Sequence, residues 1–270
     1  MNLWIAASCV VALGVTLAQD RAESKLELYD VRDLVVASDP AANDAGTLEF
    51  LRTVLERAAL AESSHAQITC ANGAIVVRGT GADQSAIRDY LDRMRRDAES
   101  TYTVNVTLVE LGPDGVDAAA GPVVVDSPPP VERELFDSPL LVRPLRRGMV
   151  DATRTQEYIT GYRVYHDVLP LAGRLVVPQI ESFASGAHLD ALVAPMRGEA
   201  VALKLRVQHV AVDEPVATET TDLGPIATPK LRTSTVDSVL ELGPGTMAVL
   251  ALPGEGTPRT AFLVEVTANR

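Results

Sequence analysis

Hydrophobic positions along the chain follow two regimes. From Lys25 to Leu111 the period switches in an orderly way. KLELYDVRDLVV reads as a strand through Leu26, Leu28 and Val31, with one change of register before Leu34 to Val36. Asp44 is placed to cap a helix over TLEFLRTVLERAAL, in which Leu48, Leu51, Leu55 and Ala59 recur at helical spacing. Two short strands, AQITC and AIVVRG, are joined by ANG, a tight turn whose Asn72 and Gly73 tolerate positive φ. A second helix, with Asp83 as its expected N-cap, puts Ile87, Tyr90, Leu91 and Met94 in one stripe and Arg88, Asp92, Arg95 and Arg96 on the wet side. TYTVNVTLVEL then alternates Val104, Val106 and Leu108 with polar neighbours, as a half-buried strand does. The order βαββα plus a strand predicts a layered module over residues 25–111, two helices covering one sheet face.

Beyond Leu111 the pattern breaks and then becomes all strand. Residues 112–154 hold GPDG, an Ala run and Pro128 to Pro130, which cannot continue a helix or a central strand. This stretch reads as a Pro-rich loop or linker, with short strands allowed at Val123 to Val125 and Leu140 to Val142. Residues 155–270 are β-prone pieces punctuated by SGAH, RGE, DEP, GPGT and GEGT. ALVAPMRGEAVALKL and LELGPGTMAVLAL both look like hairpins. The fold class expected is therefore α+β: an N-terminal βαββα(β) module followed by a mainly antiparallel β region, sheet or sandwich.

Composition adds compartment and partner class. Leu3 to Ala18 is almost wholly apolar and too short for a confident membrane span, so residues 1–18 read as an export signal with Thr16 and Ala18 at the cleavage positions. Cys9 lies inside that run, so its removal leaves Cys70 alone and excludes an intramolecular disulfide. A formal net charge of -12 argues against nucleic acid or anionic lipid as a partner. The mature chain is expected to be soluble outside the cytoplasm, or to reach a membrane only as part of an assembly.

Candidate chemistry is sparse. His65, His166, His188 and His209 form no ligand motif, and alternation sets His209 on the face of Leu205 and Val207, at the core margin. Ser185, Gly186 and His188 gather the residue types of a hydrolase, but a three-residue spacing in a turn does not give a separately oriented base. The carboxylate pairs Asp213 and Glu214, Glu157 and Asp167, and Glu132 and Glu134 reflect a generally acidic chain. GTGAD and GPGT fail as phosphate cradles. Asn105-Val-Thr is a glycosylation sequon, and Cys70 reads as a small buried hydrophobe. Asp30, Arg32 and Asp33 remain; strand alternation puts the first two on one face and Tyr29, Val31 and Asp33 on the other. No catalytic, cofactor or metal site is expected.

Taken together, Tyr29 to Leu34, the Asn72–Gly73 turn, Ile75 to Thr80 and Tyr90 to Arg95 resemble the periplasmic N-domain of bacterial secretins, the ring-forming proteins of type II and III secretion and type IV pilus systems. VNVTLVEL is similar to the strand that opens the secretin core. VVPQIESFASGAHLDALVAPMRGEAVALKLRVQHV and PKLRTSTVDSVLELGPGTMAVLAL resemble later core segments. Leu250, Ala251 and Leu252 stand where the family closes with Gly-Gly-Leu, and there is only one N-domain. The resemblance implies a non-enzymatic structural or accessory subunit, partnered by its own copies or related envelope secretion proteins, with Arg88, Arg95 and Arg96 available for contacts. A different class, a periplasmic module binding a peptide, glycan or exported protein, would use an aromatic cleft around Tyr158, Tyr162, Tyr165 and Phe183.

Overall fold

The computed structural model describes residues 24–35, 44–60, 64–112, 122–166, 174–252 and 259–269; the export-signal reading, Cys9 and Asp167 fall outside them. Strand β1 (Lys25–Asp30) is followed by a short helix α1 (Arg32–Val35). Helix α2 (Asp44–Val54) runs into a π-helical turn, Leu55–Ala59. Strands β2 (Gln67–Ala71) and β3 (Ala74–Gly79) form the expected hairpin, with Asn72 and Gly73 at φ 50° and 76°. Helix α3 (Gly81–Arg96) completes the module. Its sheet has the order β1-β3-β2, and Phe50, Leu51, Leu55, Ile75, Ile87 and Leu91 fill the space between sheet and helices.

Details of this module differ from the sequence reading: TYTVNVTLVEL, expected with it, belongs to a different sheet, and α2 begins at Asp44 itself. The N-cap of α3 is Thr80, and Asp83 is its reciprocal partner three residues on: Asp83 N–H donates to Thr80 Oγ1 at 3.2 Å and Thr80 N–H to Asp83 Oδ2 at 2.8 Å. β1 ends at Asp30 because the Val31 N–H is taken by the Gly73 carbonyl at 3.0 Å and the chain turns into α1, burying Val31, Leu34 and Val35. Alternation therefore stops at Asp30. Leu26 and Leu28 point to the outer face of the sheet and are 71% and 68% exposed, while Tyr29 faces α3.

The remaining strands are β4 (Thr101–Leu111), β5 (Val123–Val125), β6 (Val131–Val142), β7 (Gly148–His166), β8 (Arg174–Pro195), β9 (Val201–Val212), β10 (Ala217–Thr221), β11 (Gly224–Thr228), β12 (Leu231–Leu242), β13 (Met247–Ala251) and β14 (Arg259–Asn269). Most of them make a sandwich, and two, β10 and β11, form a separate hairpin. A five-stranded sheet of order β5-β13-β14-β4-β6 faces a four-stranded sheet of order β12-β9-β8-β7. Their inner faces interdigitate through Val104, Val106, Phe262 and Leu250 on one side and Leu189, Leu203, Leu205 and Val207 on the other.

The stretch expected as a linker thus carries β5, β6 and the start of β7. Pro139 is accommodated because β6 is an edge strand, paired among the described residues only to β4. ALVAPMRGEAVALKL is a hairpin, as expected. LELGPGTMAVLAL is not: β12 pairs with β9 and β13 with β14 and β5, so GPGT carries the chain from one sheet to the other. Alternation in both strands allows either outcome, and the choice is made by packing across the sandwich.

The module and the sandwich share one core cluster, since Leu192, Ala194, Met196 and Ala202 pack with the N-terminal residues. The Tyr90 hydroxyl donates to the Pro195 carbonyl at 2.6 Å. Arg197, in the β8–β9 turn, donates to the carbonyls of Ala58, Ala59 and Leu60 at 2.5, 2.7 and 3.2 Å. These are the carbonyls a helix leaves unpaired at its C-terminal end.

Candidate assembly surface

The four-stranded sheet has two unpaired edges among the described residues. β12 pairs with β9, β9 with β8 and β8 with β7, all antiparallel, which leaves β12 and β7 as opposite free edges among the described residues. With four alternating strands the two edges run in opposite directions. A further copy laid beside this one in the same orientation would therefore set its β7 antiparallel to this β12. The edges are long, 19 residues in β7 and 12 in β12, and such edges are templates for further pairing.

β7 and β8 also outrun the sheet. β8 pairs with β9 only from Gly186 to Pro195, whereas β7 and β8 stay paired out to His166 and Arg174. The departure point is Gly186, at φ +143°, where a β-carbon would lie 2.0 Å from the Ala152 carbonyl oxygen. Past it, Tyr165, Leu175, Val177 and Ile180 are exposed apolar side chains on a two-stranded ribbon. The β10–β11 hairpin leans on the ribbon, with the Tyr162 hydroxyl donating to the Pro225 carbonyl at 3.3 Å.

Several charged residues of the N-terminal module pair within their own chain. Arg32 pairs with Asp30 at 2.5 Å, Arg88 with Glu27 at 2.8 Å, and Arg95 with Asp33 at 2.8 Å and Asp92 at 3.1 Å. Arg95 also donates to the Asp30 carbonyl at 2.9 Å, so it ties α3 to the end of β1. The pair with Arg32 holds the Asp30 carboxyl at about 2, and that with Arg95 draws Asp33 down as well. Exposed pairs of this kind contribute little stability, but they fix where the chain turns. Of the three arginines expected to be available for contacts, only Arg96 forms no ion pair among the described residues.

Gln84 carries a role the sequence reading did not assign. It is buried, and its amide donates to the carbonyls of Lys25 and Val77 at 3.0 Å each, while Tyr29 Oη lies 2.9 Å from its Oε1. Burial, reinforced by Glu27, pushes the Tyr29 phenol up to about 12. A polar residue in the first turn of a helix reads from sequence as surface, and only the sheet beneath it shows otherwise.

The residue types gathered by sequence do not converge. Ser185 Oγ donates to the Arg154 carbonyl at 3.4 Å, and His188 Nδ1 bonds across the strands to Asp151. His209 lies on the face of Leu205 and Val207, as expected, with its ring edge-on to Phe262 at 6.4 Å; burial lowers its pKa. It lines a cavity of about 470 Å³ at the mouth of the sandwich, shared with Phe136, Ser185 and Glu214. Tyr158 packs edge-on to Phe183 at 5.8 Å, Tyr162 contacts the β10–β11 hairpin and Tyr165 is exposed; none of the four rings lines that cavity. His65 is exposed. Cys70 is half-buried with Sγ 3.5 Å from the Leu48 carbonyl, and burial pushes its thiol up. Asp213 pairs with Arg232 at 3.0 Å, and Asn105 lies on β4 between β14 and β6. Among the described residues no group of three or more His, Cys, Asp or Glu could hold a metal, and no helix is long and apolar enough to cross a membrane.

No protein-family model matches the chain, and no curated protein matches it. Solved structures similar to it include the secretin domain β-barrel of InvG from the Salmonella SPI-1 injectisome, at 10% identity and a TM-score of 0.34, covering 92% of this chain and 89% of that one. GspD, the type II secretion system secretin of E. coli K12, matches at 12% identity and a TM-score of 0.29, over 92% of this chain and 64% of that one. PilQ, the type IV competence pilus secretin of V. cholerae, matches at 8% identity and a TM-score of 0.30, over 93% and 78%. Values this low describe a partial likeness in the course of the chain.

Proposed function

We propose that the chain is a non-enzymatic envelope protein of secretin-like organisation, a structural or accessory subunit in protein secretion or pilus-type export. It acts outside the cytoplasm, in the periplasm or at the outer membrane, by joining copies of itself or related subunits side by side. The observation that carries this reading is the four-stranded sheet with two long free edges of opposite direction. β7 of one copy against β12 of the next continues the antiparallel order without rearrangement, and such a head-to-tail contact closes into a ring when its rotation divides a full turn. The motif order of residues 25–111, and its likeness to the secretin N-domain, supports the same reading.

The test is a photo-crosslinker, benzoylphenylalanine, at Val239, on the exposed face of β12, and, as a control, at Thr218 in the β10–β11 hairpin. On irradiation of envelopes, Val239 should give a ladder of covalent multimers whose linked peptide comes from β7, and Thr218 should give none. A Val239-labelled protein that stays monomeric in the gel would overturn the edge-pairing reading.

A further inference from the structure

Between α3 and the β8–β9 turn lies a cavity of about 280 Å³. Its charged lining is three arginines, Arg93, Arg96 and Arg197, against a single carboxylate, Asp89. This concentration of positive charge stands out in a chain whose formal net charge is -12. The neighbouring arginines of α3, Arg88 and Arg95, are each satisfied by acids of their own chain. Arg93 and Arg96 form no ion pair among the described residues. Arg93 is instead held with its guanidinium carbon 5.1 Å from the centroid of the Tyr90 ring, and its Nε is buried without a hydrogen-bond partner. Arg197 spends Nε and Nη2 on the carbonyls of the π-helical turn, which fixes its guanidinium at the cavity wall. Its Nη1 donates to nothing among the described residues.

Three like charges around one small space repel unless something neutralises them, and planar guanidinium forks match the oxygens of a phosphate or carboxylate. The volume lies just under the range of pockets for drug-sized ligands, which start at about 300 Å³, so it suits a small anion better than a nucleotide. We infer that this cavity binds a small oxyanion of the phosphate class, bridging α3 to the β8–β9 turn. Because its walls come from the N-terminal module and from the sandwich, the bound anion would fasten one to the other. The site does not depend on assembly, so it can be tested on the single chain.

Thermal unfolding of the full chain in about 10 mM phosphate, against chloride at matched ionic strength, should show a rise in Tm of about 2 °C. Arg93→Gln and Arg96→Gln should each abolish that rise, and Arg88→Gln, on the same helix but paired with Glu27, should keep it. Arg96 is exposed, so its variant folds whether or not Arg93→Gln does. Flotation with phosphatidylglycerol vesicles separates the sources: flotation lost in Arg96→Gln assigns the phosphate to a lipid headgroup, and absence of flotation beside a retained Tm rise assigns it to the free ion. Equal Tm in the two salts, or a phosphate effect that survives Arg96→Gln, overturns the proposal.

Discussion

Gly186 and His209 are the residues on which the sandwich makes its most specific demands. Gly186 combines a positive φ with a β-carbon position 2.0 Å from a backbone oxygen, so no side chain fits without moving β7. Gly186→Ala should cost about 3 kcal/mol, read as a lowered urea midpoint with an unchanged slope. His209 titrates below its ordinary value of 6.5 because burial disfavours the imidazolium. The unfolded chain therefore binds that proton first, and the stability held above pH 6.5 is lost as the pH falls from 6.5 toward the lowered value. His209→Leu should remove that component, so the stability curves of variant and wild type should diverge in this window; parallel curves would show that the ring is not desolvated. At this scale the sequence was partly legible. The face of His209 followed from alternation, whereas the strain at Gly186 depends on which strand lies beneath it, and local sequence does not encode that.

Elements with strong local signals came out where the pattern put them. The Asn72–Gly73 hairpin and the Ile87, Tyr90, Leu91, Met94 stripe of α3 are decided by turn chemistry and by period. The exposed leucines of β1 show the limit of that logic: Leu26 and Leu28 lie on one face and Tyr29 on the other, and period alone does not say which face meets the helices. β6 and GPGT show a second limit, since pairing between strands distant in sequence leaves no local mark. The capping box of α3 gives a direct check on the first class. Thr80→Ala removes the acceptor for the Asp83 N–H and should cost about 1 kcal/mol, while Asp83→Asn, which keeps an acceptor for the Thr80 N–H, should cost less. The two melting temperatures, compared with wild type, give the order; an unchanged melting temperature in Thr80→Ala would contradict a stabilising cap.

At the scale of the whole molecule, the N-terminal module is fastened to the sandwich by Tyr90 and Arg197, and the four-stranded sheet is left open at both ends. A monomer so built keeps two long strand edges and an apolar ribbon in water, which natural β proteins avoid unless those features are used. The sequence carried the order of the N-terminal module and the β character of the rest, but the opposite direction of the two edges emerges only from sheet topology. Side-by-side assembly would pair both edges. Its most direct test is negative-stain imaging of the full chain extracted in detergent from the envelope. Closed rings of repeated subunits are the expected result; uniform particles of single-chain size, at concentrations of about 10 µM or more where such interfaces are populated, would contradict it.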